Sequence, residues 1–301
     1  MRKPDFIIIG AAKSGTTTLY QYLCRHPQIY MSTPKEPDFF SLEKSYARGI
    51  DWYESLFKDA TPDQICGEAS TTYSRYEQHP KAAERIAKYC PNVKLIYIMR
   101  HPLDRAYSFY AYRFKGTQLN QEFHVARNEL MTAKTFEEAI AQQSEFIDSS
   151  YYLEQIERYL PFFPRESFLF LLMEDLIEKP ASTLNQILTF LGADSTVDIM
   201  KGGEVIANQA KDYREGVFQK KIAGSVNAIP GVKLMTKLVP KPIKQGMYNM
   251  LKDLTYEKWK KKQYFPPKML PETRIMLIEK FREPNRELAQ FLNRDLSHWD
   301  Q

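Results

Sequence analysis

The chain has 301 residues, of which 43% are hydrophobic and 26% charged, and its formal net charge is +5, an ordinary composition for a folded globular protein. Its three cysteines are widely spaced and form no CxxC motif or Cys/His cluster, which argues against a disulfide framework or a metal site and favours a reducing compartment. The N-terminal apolar run is too short for a signal peptide, and no stretch approaches the length of a membrane span. These features predict a cytoplasmic protein, or a soluble domain of a larger one.

The first predicted element is a strand from Phe6 to Ile9, whose continuous apolar residues indicate burial on both faces of a parallel sheet. A helix over about 16–25 follows and stops at His26-Pro27. Strands alternate with helices in the rest of the chain, which predicts an α/β fold with a central parallel sheet and helices on both faces. The remaining predicted elements, in chain order, are a helix at 49–57, a strand at 64–70, a helix at 80–89, a strand at 93–99, a helix at 103–114, a loop at 117–134, helices at 135–147 and 150–160, a strand at 167–172, and helices at 180–191 and 271–292.

The first strand leads into a glycine-rich segment that has the composition of a phosphate-binding loop. Gly10 and Gly15 have the G-x4-G spacing of a Walker A loop, but Thr16 follows the second glycine and the lysine, Lys13, lies inside the loop. Backbone amides and hydroxyls of such a loop can cradle an anion at a helix N-terminus, with Lys13 supplying positive charge. The alternative is a tight turn with no ligand. The residues predicted to bind the anion are Lys13, Ser14, Gly15, Thr16, Thr17 and Thr18.

A second group of anion-binding residues follows the strand at 93–99. This strand ends at Arg100, where a nucleoside triphosphatase would place an Asp that binds Mg²⁺. A cation there repels a metal ion and attracts a phosphate group, and Ser108 follows after about two helical turns. A surface salt bridge is the alternative for Arg100. Because ligands of parallel sheets bind beyond the carboxyl ends of the strands, we expect both segments to form one P-loop-like pocket for two phosphate groups and no metal.

Several segments of the chain resemble those of one enzyme family. GAAKSGTTTLYQYL resembles the 5′-phosphosulfate loop of sulfotransferases that use 3′-phosphoadenosine 5′-phosphosulfate (PAPS), and RHPLDRAYSFY resembles their 3′-phosphate motif, with Arg100 and Ser108 as binding residues. KEPDFF, RGIDWYESLF and GEASTTY resemble the branch that contains heparan sulfate sulfotransferases and bacterial relatives. The resemblance covers about 1–192 and 264–300.

This resemblance implies transfer of a sulfonate group from PAPS to a hydroxyl or amine of an acceptor, with release of adenosine 3′,5′-bisphosphate and without a metal. In that branch the glutamate of the KEP segment is the proposed catalytic base, and this residue corresponds to Glu36. Lys13 is the second predicted catalytic residue, since it would stabilise charge on the leaving group. His101 and His124 are the alternative bases.

The chain departs from the family pattern on the acceptor side. Ala69 and Thr71 stand where the branch has the lysine and proline of GEKSPxY, and Ser150 stands where a glycine is common. The late nucleotide loop also differs, and Lys261 or Lys262 would replace its basic residue. A carbohydrate is the favoured acceptor, and a lipid alcohol or a β-hydroxyacyl chain on a carrier protein is the alternative.

Two other classes of function stay open at this stage. A P-loop kinase or other NTPase would need Mg²⁺, and an inactive nucleotide-binding module would not need the intact set of Lys13, Glu36, Arg100 and Ser108. The chain is predicted to be one domain over 1–301, with an irregular lid at 200–268 over the acceptor. The basic run at 233–262 is a solvated helical face, a surface that attracts an anionic partner, or a membrane or nucleic-acid contact. Nothing in the sequence resembles a nucleic-acid-reading motif, so no nucleic-acid partner is expected.

Overall fold

The fold is taken from a computed structural model that describes residues 2–123, 131–201, 203 and 265–301. Within these residues a parallel sheet has the strand order β2-β3-β1-β4-β5, with β1 in the centre. The strands are β1 (Phe6–Gly10), β2 (Ile29–Met31), β3 (Ile65–Ala69), β4 (Lys94–Met99) and β5 (Phe168–Leu172).

Helices follow most of the strands. The described helices are α1 (Thr16–Leu23), α2 (Glu43–Tyr46), α3 (Ile50–Ser55), α4 (Ala82–Tyr89), α5 (Pro102–Phe123), α6 (Phe136–Gln142), α7 (Glu145–Asp148), α8 (Tyr152–Glu157), α9 (Met173–Glu178), α10 (Pro180–Leu191) and α11 (Pro271–Leu292). Single 3₁₀ turns occupy Arg165–Ser167 and Ser297–Asp300.

The central strand β1 is buried on both faces, as its continuous apolar sequence predicts. Ile7 and Ile9 belong to one hydrophobic core, which also contains buried residues of α4 and α8, while Phe6 and Ile8 belong to the other, with residues of α1 and α10. Fully burying one such side chain contributes roughly 1.5–3 kcal/mol. This double anchoring fixes the strand and therefore the position of the loop that follows it.

The predicted α/β architecture, with helices on both faces of a parallel sheet, is confirmed. The three-residue edge strand β2 was not predicted, because Ile29–Met31 is too short to give a periodic signal. The loop predicted at 117–134 is wrong in its first part, since α5 continues to Phe123. The helix carries Gly116 at a cost of about 1 kcal/mol and contains no proline after its first residue. The single helix predicted at 135–147 is also wrong: Gln143 is extended and separates α6 from α7.

The sheet and its helices form one compact unit within Met1–Tyr110, Ala133–Val205 and Lys268–Gln301. A second unit comprises Ala111–Thr132 and Ile206–Pro267, and most of it lies outside the described residues. The predicted lid at 200–268 lies largely outside the described residues, and the basic run at 233–262 lies wholly outside them. Both stay predictions, and so does the organisation of the chain as a single domain. No helix in the described part of the chain combines the length and apolarity needed to cross a bilayer.

Candidate active site

The segment between β1 and α1 forms a tight turn against the neighbouring strand β4. The amide of Ala11 donates to the carbonyl oxygen of Ile98 at 2.7 Å. Gly15 has a left-handed φ of 91° and caps α1, and its carbonyl oxygen accepts the Leu19 amide at 3.0 Å. Glycine has no side chain that could cover the first-turn amides of α1, and the first turn contains no acidic residue. Helix ends of this kind favour a bound anion.

The glycine that ends β1 is required by a close approach of neighbouring side chains. A Cβ atom at Gly10 would lie 2.0 Å from Oγ of Ser74 and 3.0 Å from Cε2 of Tyr97. Real Cβ atoms do not come this near to other heavy atoms, so only glycine lets the chain turn here without a shift of its neighbours.

The six residues predicted to bind the anion lie in this turn and in the first turn of α1, and their side chains differ in burial. Lys13 is half-buried and has a left-handed φ of 71°, a conformation that non-glycine residues adopt where surrounding structure holds them. Ser14 and Thr16 are buried, while Thr17 and Thr18 are half-buried.

Arg100 follows β4, and its backbone is held by a tyrosine from a distant part of the chain. The hydroxyl of Tyr152 donates to the carbonyl oxygen of Arg100 at 2.7 Å and accepts the Arg100 amide at 3.4 Å. The guanidinium group is 29% exposed and lies 3.9 Å from the carboxylate of Asp104. Ser108 lies further along α5 and is half-buried.

The turn after Arg100 is fixed by a second contact with the residues before α8. The hydroxyl of Ser150 donates to the carbonyl oxygen of Pro102 at 3.0 Å and accepts from Nε of Arg105 at 2.5 Å. Arg105 is fully buried and also donates to the carbonyl oxygen of Phe146 at 2.5 Å. Ser150, which replaces a glycine common in the family, thus helps to bind a buried cation and to hold the turn.

The two segments predicted to bind anions lie at the same edge of the sheet. Gly10 pairs with Tyr97 in the parallel β1–β4 ladder, and the Ala11–Ile98 hydrogen bond joins the loop directly to β4. The carboxyl ends of β1 and β4 therefore bring the loop at 11–15 beside the turn at Arg100. This is the backbone arrangement expected from the sequence, and it places two cationic residues, Lys13 and Arg100, on adjacent strand ends.

Glu36 lies in the connection between β2 and α2, next to the end of β3. Its amide donates to the carbonyl oxygen of Ala69 at 3.0 Å, and its φ of 59° is left-handed. The carboxylate is 43% exposed, with Nζ of Lys35 at 2.7 Å and the Thr71 hydroxyl at 3.4 Å from Oε1. An open carboxylate on a backbone held beside a strand end is suited to accept a proton from a bound acceptor.

A second carboxylate, Asp38, lies two residues after Glu36 and was not predicted. It also has a left-handed φ, 51°, and its Oδ1 accepts the Thr72 hydroxyl at 2.6 Å. Burial raises the pKa of Asp38 to about 6, against the effect of that hydrogen bond. Its sequence signal is the KEPDFF segment, for which the family resemblance implies a role only for the first acidic residue, Glu36.

A third carboxylate, Glu68, is completely buried at the end of β3. Three hydroxyl groups donate to it, and burial raises its pKa to about 7. Glu68 belongs to the GEASTTY segment, but no role is predicted for it from the sequence. A sequence does not distinguish a buried carboxylate from an exposed one, and most glutamates are exposed.

Of the two histidines considered as alternative bases, the structure describes only His101. Its amide donates to Oε1 of Glu174 at 3.0 Å, and its ring centroid lies 6.4 Å from that of Trp299. Burial lowers the pKa of its ring. His124, Lys261 and Lys262 lie outside the described residues.

A parallel sheet with a glycine-rich turn after β1 and an arginine after the adjacent β4 is the arrangement expected for the sulfotransferases, and the chain belongs to that family. The family model described as "Sulfotransferase domain" matches residues 3–283. The family predicted from the sequence motifs is therefore confirmed.

The relatives include human bifunctional heparan sulfate N-deacetylase/N-sulfotransferase 3, which is 33% identical over 201 residues that cover 64% of this chain and 22% of the relative. Mouse heparan sulfate glucosamine 3-O-sulfotransferase 5 is 32% identical over 62% of this chain and 53% of its own length. The chain thus spans about a fifth to a half of these two relatives. The crystal structure of a sulfotransferase from Alicyclobacillus acidocaldarius has the same fold, with a TM-score of 0.65, 23% identity and complete coverage of both chains.

Proposed function

We propose that this chain is a sulfotransferase that moves a sulfonate group from PAPS to a hydroxyl or amine of a carbohydrate acceptor. The observation that carries the proposal is the pair of anion-binding turns at the ends of β1 and β4, in a chain of the sulfotransferase family. One bisphosphorylated adenosine has phosphate groups at both ends of its ribose, and two neighbouring cationic turns match that charge distribution.

The loop at 11–15 and the start of α1 would hold the 5′-phosphate. Lys13 and the first-turn amides would neutralise the negative charge that grows on the leaving phosphate oxygen as its bond to sulfur breaks. The Thr17 and Thr18 side chains, which are half-buried, would supply further donors. Because these groups are already in place, little reorganisation is needed during the reaction.

Arg100 and Ser108 would bind the 3′-phosphate and so fix the nucleotide along the edge of the sheet. Tyr152 supports this role, since it holds the backbone of Arg100 on both its amide and its carbonyl. A 3′-phosphate is absent from ATP, so this contact would separate PAPS from nucleoside triphosphates.

Glu36 would act as the general base. Its carboxylate would take the proton of the acceptor hydroxyl while the oxygen of that hydroxyl forms a bond to sulfur and the leaving phosphate oxygen keeps the electrons of the broken S–O bond. Lys35, with its Nζ 2.7 Å from the Glu36 carboxylate, would attract an anionic acceptor to this site.

The acceptor class rests on the names of the relatives, which act on heparan sulfate. An anionic polysaccharide or its precursor would also suit the positive net charge of the chain. All three cysteines are free thiols, with Cys66 and Cys90 buried, which supports a reducing compartment such as the cytoplasm.

The proposal is tested by incubating the protein with ³⁵S-labelled PAPS and one of three acceptors: desulfated heparan oligosaccharides, a long-chain alcohol, or a β-hydroxyacyl carrier protein. The expected result is label on the oligosaccharide, unchanged by EDTA. Label on one of the other two acceptors would keep the transferase and overturn the carbohydrate. Transfer of phosphate from γ-³²P-ATP that requires Mg²⁺, with none of sulfonate from PAPS, would overturn the whole proposal.

A further inference from the structure

Glu68 is a fully buried carboxylate that no step of the proposed reaction uses. It lies near the end of β3, and its exposed fraction is 0%. Its Oε1 accepts the hydroxyls of Tyr53 at 2.9 Å and Tyr73 at 2.8 Å, and its Oε2 accepts the hydroxyl of Ser70 at 2.9 Å. Burying a carboxylate costs free energy of folding that an apolar side chain would not. We therefore expect this hydrogen-bond network to do more than fill the core.

Two of these hydroxyls also bind the chain segment that carries Glu36. Oγ of Ser70 accepts the amide of Asp38 at 3.1 Å, and the hydroxyl of Tyr73 accepts the amide of Phe40 at 3.3 Å. A hydroxyl has one proton and can accept as well as donate. Since Ser70 and Tyr73 both accept an amide, each has its single proton left to donate to Glu68.

The segment at 36–40 is thus tied to the end of β3 at alternate residues. Glu36 donates to the carbonyl oxygen of Ala69, Asp38 to Ser70, and Phe40 to Tyr73. The backbone is in the left-handed region at Glu36 and Asp38, an unfavourable conformation for these residues that persists only where surrounding contacts hold it.

We propose that Glu68 is a positioning residue, which acts through Ser70 and Tyr73 to hold the 36–40 backbone in the conformation that presents Glu36 to the acceptor. This inference rests on the proposed function. The Tyr53 hydroxyl donates to the same oxygen of Glu68 as Tyr73, and Tyr53 meets the segment through ring contacts with Phe39 and Phe40, which Tyr53→Phe keeps. Tyr53 therefore serves as a matched control.

The first test compares two matched variants, Tyr73→Phe and Tyr53→Phe. Each removes one hydroxyl that donates to the same oxygen of Glu68 and keeps a buried ring, but of these two hydroxyls only that of Tyr73 also accepts an amide of the segment, the amide of Phe40. With ³⁵S-labelled PAPS and desulfated heparan oligosaccharide, kcat of Tyr73→Phe should fall at least about threefold below that of Tyr53→Phe, with the KM for PAPS nearly unchanged in both. Equal kcat values in the two variants would overturn the inference.

The second test removes either the Ser70 hydroxyl, which accepts the Asp38 amide, or the Glu68 carboxylate to which it donates. Ser70→Ala and Glu68→Gln should each lower kcat by about tenfold to a hundredfold, the effect expected of a misplaced base, with little change in the KM for PAPS. The control is Thr183→Val, which removes a buried hydroxyl in α10 that donates to Lys179, and its kcat should stay near the wild-type value. A kcat within about twofold of wild type in Ser70→Ala would overturn the inference, and this variant serves if Glu68→Gln does not fold.

Amide hydrogen exchange separates failure of this inference from failure of the proposed function, because it needs no acceptor. Ser70→Ala should speed exchange of the Asp38 amide at least about tenfold, and Tyr73→Phe that of the Phe40 amide, while Tyr53→Phe leaves both near wild type. If the wild-type protein transfers no sulfonate, the proposed function fails and takes the catalytic part of this inference with it. If it does transfer sulfonate, unchanged exchange in Ser70→Ala overturns the inference alone.

Discussion

The catalytic role of the Glu36 carboxylate can be tested without disturbing the fold. The side chain is 43% exposed, and its ion pair with Lys35 is at the protein surface. Exposed pairs contribute about 0–1 kcal/mol to stability, so loss of the charge should leave the fold intact. Effects of a substitution at this residue therefore report on chemistry.

Glu36→Gln should lower kcat by roughly 10²- to 10⁴-fold, because the amide cannot take the proton of the acceptor. The affinity for adenosine 3′,5′-bisphosphate, measured by calorimetric titration, should stay near that of the wild type. The matched control is Glu43→Gln, which removes another exposed carboxylate that is ion-paired with Arg85, and it should keep wild-type turnover. Turnover by Glu36→Gln at the wild-type rate would exclude Glu36 as the base.

Arg100→Ala should weaken binding of adenosine 3′,5′-bisphosphate by about tenfold to a hundredfold, since a hydrogen bond to a charged group contributes roughly 1.5–3 kcal/mol. Binding of adenosine 5′-monophosphate, which lacks the 3′-phosphate, should change little. Arg282→Ala is the control, because that arginine is on α11 in an exposed pair with Glu279. Equal losses for the two nucleotides would contradict the assignment of Arg100 to the 3′-phosphate.

At the scale of elements, the start of α8 and the residues just before it hold the turn between β4 and α5. Tyr152 binds the backbone of Arg100, and Ser150 binds Pro102 and the buried Arg105. The position of the Arg100 guanidinium thus depends on a hydroxyl about fifty residues further along the chain.

Tyr152→Phe should reduce the affinity for adenosine 3′,5′-bisphosphate several-fold, because the ring still fills the core while the Arg100 carbonyl loses its donor. The measurement is calorimetric titration, with Tyr110→Phe as the control: its buried hydroxyl donates to the carbonyl oxygen of Lys134. A Tyr152→Phe protein with wild-type affinity would show that Arg100 is positioned without this contact.

The elements around the nucleotide site could be predicted because they combine strong local signals. The strands β1 and β4 are continuous apolar runs, and the loop after β1 has glycines at fixed spacing. The support from Tyr152 and Ser150 could not be predicted, since it joins residues that are distant in sequence through hydroxyls with no periodic pattern. The lid stays untested, since it lies largely outside the described residues.

At the scale of the whole molecule, Glu68 links the stability of the fold to pH. An unfolded glutamate ionises at a pKa of 4.5, and burial raises the pKa of Glu68 to about 7 in the fold. Between these values the folded protein binds more protons at this residue than the unfolded chain. Its contribution to stability is therefore complete at low pH and is lost as the pH rises through 7.

The free energy of unfolding of the protein with Glu68 intact, relative to Glu68→Gln, should fall by about 3 kcal/mol between pH values below 4.5 and above 7. Urea unfolding at a series of pH values measures this difference. Both proteins carry Asp38→Asn in this comparison, because Asp38, whose pKa burial raises to about 6, titrates in the same range and its charge interacts with Glu68. A difference that is constant, or that rises with pH, would contradict a raised pKa for Glu68.

The two hydrogen bonds between the Tyr152 hydroxyl and the Arg100 backbone have a consequence for protein engineering. The peptide from β4 into α5 carries every side chain assigned to the 3′-phosphate, yet its shape is imposed by residues from beyond α7. Grafted alone onto another scaffold, that contiguous peptide would lose the partners of its backbone and would leave the Arg105 charge without its acceptors. A transplantable version of the half-site must include 146–152, so the smallest portable unit is a pair of segments.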